Sequence, residues 1–169
     1  MKDSLLILGA GQYGCVVKEI AQAMNCFQSI DYLDDQNPIA IGKLEDYSRF
    51  AEKYTCAVVA IGNPQVRLAY LEKLKEHYRL PNLIHPQSYI SPSAQLSCGC
   101  VVEPMAVVHA NTKVGTGCLI CAGAVVNHNS ELGDGCQIDC NSTVPARSVV
   151  QNHTKVGAGT VFCYGNIDG

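Results

Sequence analysis

The sequence has no tryptophan and only three phenylalanines, so large aromatic anchors do not organise its core. Charge is sparse as well: 16% of residues, with 12 Lys and Arg against 15 Asp and Glu. The resulting net charge of −3 and the lack of any Lys/Arg cluster argue against nucleic acid as a partner. No apolar run approaches the ~20 residues that cross a bilayer. The start, Met1-Lys2-Asp3-Ser4, lacks the basic-then-apolar layout of a signal peptide. No membrane partner is expected, and the cytoplasm is the expected compartment. Cysteine, by contrast, is abundant, at ten residues. Cys100, Cys118 and Cys136 lie 18 apart in a slot that Ala, Ser and Thr fill elsewhere, a register that favours free buried thiols over disulfides or zinc.

That slot belongs to a longer pattern. From Ile84 to Phe162 a branched or aromatic apolar residue recurs at every sixth position without a gap: Ile84, Ile90, Leu96, Val102, Val108, Val114, Ile120 and onward. Two residues before each member from Ile90 sits a small side chain such as Ala94, Cys100, Ala106 or Thr112. A hexad is one flat side of a parallel β-helix, a short strand and a tight corner. Three hexads close a triangular coil, so residues 18 apart should stack ~4.8 Å apart.

Residues 1–80 follow a different grammar. Leu5-Leu6-Ile7-Leu8 reads as a buried strand, and Gly9-Ala10-Gly11-Gln12-Tyr13-Gly14 as a glycine turn opening a helix. Ile30 to Leu33 forms a second strand ending at Asp34-Asp35, with a short helix expected around Leu44 to Lys53. Ala57 to Ile61 forms a third strand, ending at Gly62-Asn63-Pro64 and opening another helix. This alternation implies a small parallel sheet flanked by helices. The fold class is therefore a small Rossmann-like α/β domain, 1–80, followed by a β-helix of hexapeptide repeats, 81–169.

Gly9-x-Gly11-x-x-Gly14 follows a strand, opens a helix and has Asp34 and Asp35 about 20 residues beyond its third glycine. In a nucleotide-binding fold this brings backbone N–H groups to a phosphate and a carboxylate to a ribose hydroxyl. A turn that needs glycine only for close packing accounts for the same residues. A single mononucleotide-binding half suits a nucleoside diphosphate carrying another group better than a nicotinamide dinucleotide. Among the five histidines, His77, His85 and His153 need no special account, whereas His109 and His128 share a corner on neighbouring coils. An imidazole there can serve as a proton-transfer base or sit in a surface hydrogen-bonded cluster. No third histidine is spaced to complete a metal site, and no metal is expected.

The order Leu6-Ile7-x-Gly9-Ala10-Gly11-x-x-Gly14, Asp34-Asp35, Ala60-Ile61-Gly62-Asn63-Pro64, Leu83-Ile84-His85-Pro86 and the Asn127-His128 corner resembles the bacterial nucleotide-sugar acetyltransferases. That group comprises the bacillosamine- and perosamine-pathway N-acetyltransferases and the sialic-acid O-acetyltransferase relatives. The resemblance implies a left-handed β-helix, a homotrimer, and transfer from acetyl-CoA to an amino or hydroxyl group of a nucleotide-linked sugar, with a UDP-amino sugar favoured. It makes His128 the general base, oriented by Asn129, and assigns the sugar nucleotide to Gly11, Gln12, Tyr13, Asp34, Asp35, Gly62 and Asn63. Gln137 and Ala146 fall at positions implied to contact acetyl-CoA. This chain has Asn129 where the resemblance implies a carboxylate, and Gln12-Tyr13 where it implies Gly-His. Its hexads stop at Phe162, where further coils are implied. These differences keep a second reading open: a nucleotide-sugar-binding scaffold or regulatory protein without catalysis.

Overall fold

The computed structural model describes residues 3–163, so the expected outer domain limits at 1 and 169 lie outside the described residues. Strand β1 (Asp3–Leu8) is the middle of a three-stranded parallel sheet, flanked by β2 (Phe27–Leu33) and β3 (Cys56–Val59). A parallel strand covered on both faces needs a continuous apolar run, and Leu5 to Leu8 provide one, all fully buried. Leu5, Ile7 and Val58 face helix α1 (Gln12–Ala23) through Val17, Ile20 and Ala21. Leu6, Leu8 and Val59 face helix α2 (Pro64–Leu74) through Leu71 and Leu74. The segment expected as a helix to Lys53 is instead a 3₁₀ helix, Leu44–Phe50, with no buried residue. Leu44, Tyr47 and Phe50 recur every third residue and pack, partly buried, against the core, a spacing that suits the three residues per turn of a 3₁₀ helix.

From Leu83 onward two-residue strands alternate with corners and build three flat faces. Face one stacks Leu83–Ile84, Val101–Val102, Leu119–Ile120, Gln137–Ile138 and Lys155–Val156. Face two stacks Tyr89–Ile90, Val107–Val108, Val125–Val126 and Thr143–Val144. Face three stacks Gln95–Leu96, Lys113–Val114, Glu131–Leu132 and Val149–Val150. Every pair is parallel and offset by 18 residues, as the hexad register requires. The second residue of each pair points inward, and Val102, Val108, Val126, Ile120, Ile138 and Val144 are wholly buried there.

The cysteine ladder takes its expected place inside. Cys100, Cys118 and Cys136 are fully buried, and their Sγ atoms sit 3.1 Å from the carbonyls of Gly115, Gly133 and Gln151. Cys118 and Cys121 are spaced as a C-x-x-C, a pairing that the register reading passes over. The wall separates them: Cys118 belongs to the β-helix core and Cys121 to the cluster outside it.

The α/β unit lies on face one. Outward-pointing Leu83, Val101 and Leu119 join Leu5, Ile7 and Val17 in one buried cluster. Helix α2 runs along the corner between faces three and one, so close that a Cβ on Gly117 would meet Leu71 at 2.7 Å. Gly117 also has a φ of +64°, so turn geometry and packing both demand glycine there. Arg67 fastens the two parts. It is fully buried, and its guanidinium donates to the carbonyls of Gly117 (2.7 Å), Gly135 (2.9 Å), Ile61 (2.7 Å) and Gly62 (2.9 Å). Burial pulls its pKa below the usual arginine value. Arg67→Met is expected to cost about 3 kcal/mol or more, because four carbonyl oxygens lose their donor. Urea unfolding would read this as a lower midpoint, with Arg67→Lys recovering only part of it.

Candidate active site

The three glycines of the first turn do different work. A Cβ on Gly14 would lie 2.3 Å from the Gly9 carbonyl oxygen, and one on Gly9 would lie 2.9 Å from that of Ala60. Both are demanded by packing. Gly11 has an ordinary φ of −74° and nothing within 4 Å of its missing Cβ. Gly62, at the third-strand turn, likewise faces open space. At these two positions protein packing does not account for glycine, and a ligand can approach the backbone. Gly11 is the N-cap of α1 and makes no side-chain cap, so first-turn N–H groups of the helix lack intrahelical acceptors.

Asp34 serves the turn rather than facing outward. Its Oδ2 accepts from the Ala10 N–H at 2.8 Å, and its Oδ1 from the Gln36 and Asn37 N–H groups, each at 2.9 Å. Asn37 Nδ2 donates back to the Ala10 carbonyl at 2.6 Å. The backbone N–H of Ala10, followed by those of Gln36 and Asn37, holds the Asp34 pKa below its usual value. Asp35 accepts from the Leu44 N–H at 3.1 Å and is otherwise exposed. Asn63 caps α2, its Oδ1 accepting from Val66 N–H at 3.0 Å.

Between these turns and face one lies a cavity of about 450 Å³, lined by Tyr13, Gly62, Pro64, Leu119, Gln137, His153 and Lys155. Its β-helix wall follows from the outward ladder of face one. Leu83, Val101 and Leu119 are covered by the α/β unit, and the ladder turns polar at Gln137 and Lys155, where that cover ends. Lys155 Nζ is 3.0 Å from Asp139 Oδ2. The Tyr13 hydroxyl is enclosed with no hydrogen-bond partner, and burial, then the nearby Glu103 charge, pushes its pKa well up. Pro64, His153 and Lys155 were not anticipated as lining residues. Gln137 joins Tyr13 and Gly62 here, whereas Ala146 does not.

His128 stands elsewhere, at the corner between faces two and three, opposite face one. Asn127 Oδ1 accepts its backbone N–H at 2.8 Å, and the Asn129 amide nitrogen is 2.8 Å from its Nδ1. Ala146 occupies the same corner position one coil on, and the Arg147 N–H donates to the His128 carbonyl at 3.0 Å. His109 packs edge-on against Tyr89. Within the chain the nearby carboxylates are engaged elsewhere: Glu131 with Lys113 at 2.8 Å, Asp134 with the Thr116 N–H at 2.7 Å, and Asp139 with Lys155. Among the described residues, no group of three or more His, Cys, Asp or Glu side chains is placed to hold a metal ion. None of the described helices is long and apolar enough to cross a membrane.

Residues 4–74 match the family model of the PglD N-terminal domain. The acetyltransferase domain of PglB from Neisseria gonorrhoeae, solved in complex with acetyl coenzyme A, is similar with a TM-score of 0.86 and 27% identity. That match covers 96% of this chain and 92% of that one. The GDP-perosamine N-acetyl transferase of Caulobacter crescentus, solved as a histidine-to-alanine mutant with CoA and GDP-perosamine, gives a TM-score of 0.80 at 24% identity. It covers 95% of this chain and 88% of that one. WeeI from Acinetobacter baumannii gives 0.63 at 16%, over 98% and 82% of the two chains. The last two are likenesses of fold. A parallel α/β unit seated on one face of a hexad β-helix is the architecture of the left-handed β-helix acyltransferases. Residues 4–74 thus carry the PglD N-terminal domain, and over nearly its whole length the chain is similar to acetyl-CoA-dependent sugar acetyltransferases.

The depressed Asp34 pKa gives the glycine turn a pH signature. Its stabilising contribution is complete above the unfolded value of 3.8 and is lost as pH falls through the lower folded value. Asp34→Asn is therefore expected to lower the melting temperature at pH 7. The gap to wild type should close between about pH 4 and pH 2, as differential scanning fluorimetry across that range would record.

Proposed function

We propose that the protein transfers an acetyl group from acetyl-CoA to an amino or hydroxyl group of a nucleotide-linked sugar, with a UDP-amino sugar as the favoured acceptor. The observation that carries this reading is the cavity beside face one, lined by Tyr13 and Gly62, with the uncrowded Gly11 backbone two residues before Tyr13 in the same turn. Gly11, Gln12 and Tyr13 meet the nucleotide sugar from one side, and Gly62, beside the Asn63 cap, from the other. Asp34 acts through the turn it holds, and Asp35 is the acid left exposed to the ligand. Gln137 and Ala146 are assigned to acetyl-CoA.

His128 is the general base. It takes the proton from the acceptor nitrogen or oxygen as that atom attacks the thioester carbonyl carbon. The tetrahedral intermediate collapses with cleavage of the carbon–sulfur bond, and the CoA thiolate leaves and is protonated. Asn129 orients the imidazole but, as an amide, gives an imidazolium no opposing charge. One pKa unit of such stabilisation is worth about tenfold in rate if fully felt in the transition state.

Within one protomer the cavity lies on face one and His128 at the opposite corner, so a complete site needs a second copy. Face two supplies a surface for it. Its outward ladder runs Tyr89, Val107, Val125, Thr143 and Val161, apolar but for one threonine, with Tyr89 54% and Val161 58% exposed. An uncovered apolar stripe of this kind marks an assembly face, and three prisms meeting in this way form the homotrimer that brings His128 of one copy to the cavity of the next. Neither nucleic acid nor membrane enters this reading.

Mass spectrometry of acetyl transfer to a panel of UDP- and GDP-linked amino sugars tests the activity. His128→Ala is expected to keep the assembly and lose about 10²- to 10⁴-fold in kcat. Full turnover in that variant would remove His128 from the mechanism, and binding of sugar nucleotide with no product from wild type would favour the scaffold reading. Val107→Asp, by placing a charge on the stripe, is expected to shift the trimer to monomers in light scattering and to abolish transfer with it.

A further inference from the structure

A neutral imidazole has one donor and one acceptor nitrogen, so His128 can accept a proton at Nε2 only when its hydrogen sits on Nδ1. The partner of Nδ1 is the Asn129 amide, at 2.8 Å. An amide offers N–H₂ at one end and oxygen at the other, and its direction selects the tautomer. With N–H₂ toward Nδ1, the ring hydrogen is left on Nε2 and the base is disabled. With oxygen toward Nδ1, Nε2 is free. A carboxylate at position 129 would only accept, and the choice would not arise.

One coil earlier, at the same corner position, stands Asn111. Asn111 and Asn129 share a left-handed backbone, with φ of 58° and 57°, which asparagine tolerates better than most residues. Asn111 Nδ2 is 3.4 Å from Asn129 Oδ1, and its backbone N–H is fixed by Ser93 Oγ at 3.0 Å. Asn111, Asn129 and His128 thus form a chain of hydrogen-bonding groups that can run in either direction, each direction needing both amides to turn together. The direction in which Asn111 donates ends with N–H₂ on Nδ1, and the reverse ends with oxygen there.

We propose that Asn111 is a positioning residue for proton transfer: its amide sets the direction of Asn129 and, through it, the tautomer of His128. The proposal rests on the reading of His128 as the base. It assigns opposite effects to two small changes at one position. An aspartate at 111 can only accept, so it takes the Asn129 N–H₂ and turns the amide oxygen toward Nδ1. An alanine leaves Asn129 without direction from this side.

Ring-nitrogen NMR shifts of His128 in ¹⁵N-labelled full-length protein at pH 8.5, assigned with His128→Ala, give the tautomer ratio directly. Asn111→Asp is expected to raise the Nδ1–H to Nε2–H ratio about fivefold over Asn111→Ala, the worth of one net hydrogen bond. Asn129→Asp should give the Nδ1–H form throughout. In acetyl transfer, Asn111→Asp should exceed Asn111→Ala in kcat by a similar factor with KM unchanged. Equal tautomer ratios in Asn111→Asp and Asn111→Ala would overturn the proposal. Full activity of His128→Ala would instead remove the base reading and leave the NMR result to decide the amide coupling alone.

Discussion

Four carbonyl oxygens from three separate segments converge on the Arg67 guanidinium, and the relation between the two halves of the molecule follows from that convergence. A buried guanidinium has five donors in a fixed plane and cannot give up its proton. It therefore fixes the distance and tilt of whatever carries its acceptors. Here they are the third-strand turn and two successive coils of the β-helix. The cavity is the space left between these parts, so its width is set by a residue that lies beside it rather than in it. A smaller or more flexible cation would leave the turn and the wall free to drift apart.

The same logic separates residues that shape the site from those that face it. Gly9 and Gly14 are held by contact with backbone, Gly11 and Gly62 by nothing in the protein. Asp34 fixes Ala10 and so presents the Gly11 backbone at a constant height. On the β-helix, strict stacking means each outward position inherits its surroundings from the coil before it. Face one is apolar while the α/β unit covers it, and polar once it emerges.

The hexad register made the β-helix legible, down to which side of the wall each residue occupies, because an inward position in a stacked coil admits only apolar or small side chains. The glycine turn and its following helix were equally plain. Arg67 was not, although the signal existed: a charge at the head of the stripe Arg67, Leu71, Leu74, spaced four and three apart on one helix face. Spacing also placed Asp34 near the ligand without revealing that three N–H groups saturate it. The same register separates Gln137, on face one, from Ala146, at the corner one coil beyond His128. That Gln137 lines the cavity depends on where the α/β unit ends on face one, a docking that no local pattern encodes. The Asn111 contact was invisible for a related reason. It joins residues 18 apart, and both asparagines read as ordinary corner residues until their amides are seen to meet.

The thiols carry a consequence of their own. Cys15, Cys26, Cys98, Cys140 and Cys163 are exposed, while Cys56, Cys100, Cys118, Cys121 and Cys136 are buried. Cys100, Cys118 and Cys136 sit in three successive coils, each against a carbonyl of the next turn of chain. An alkylating reagent must wait for a coil to open before it reaches one of them, so each labelling rate reports the local opening free energy of that coil. The protein thus contains three evenly spaced clocks along its own axis, by which fraying from the last coil inward can be timed without introducing any new residue.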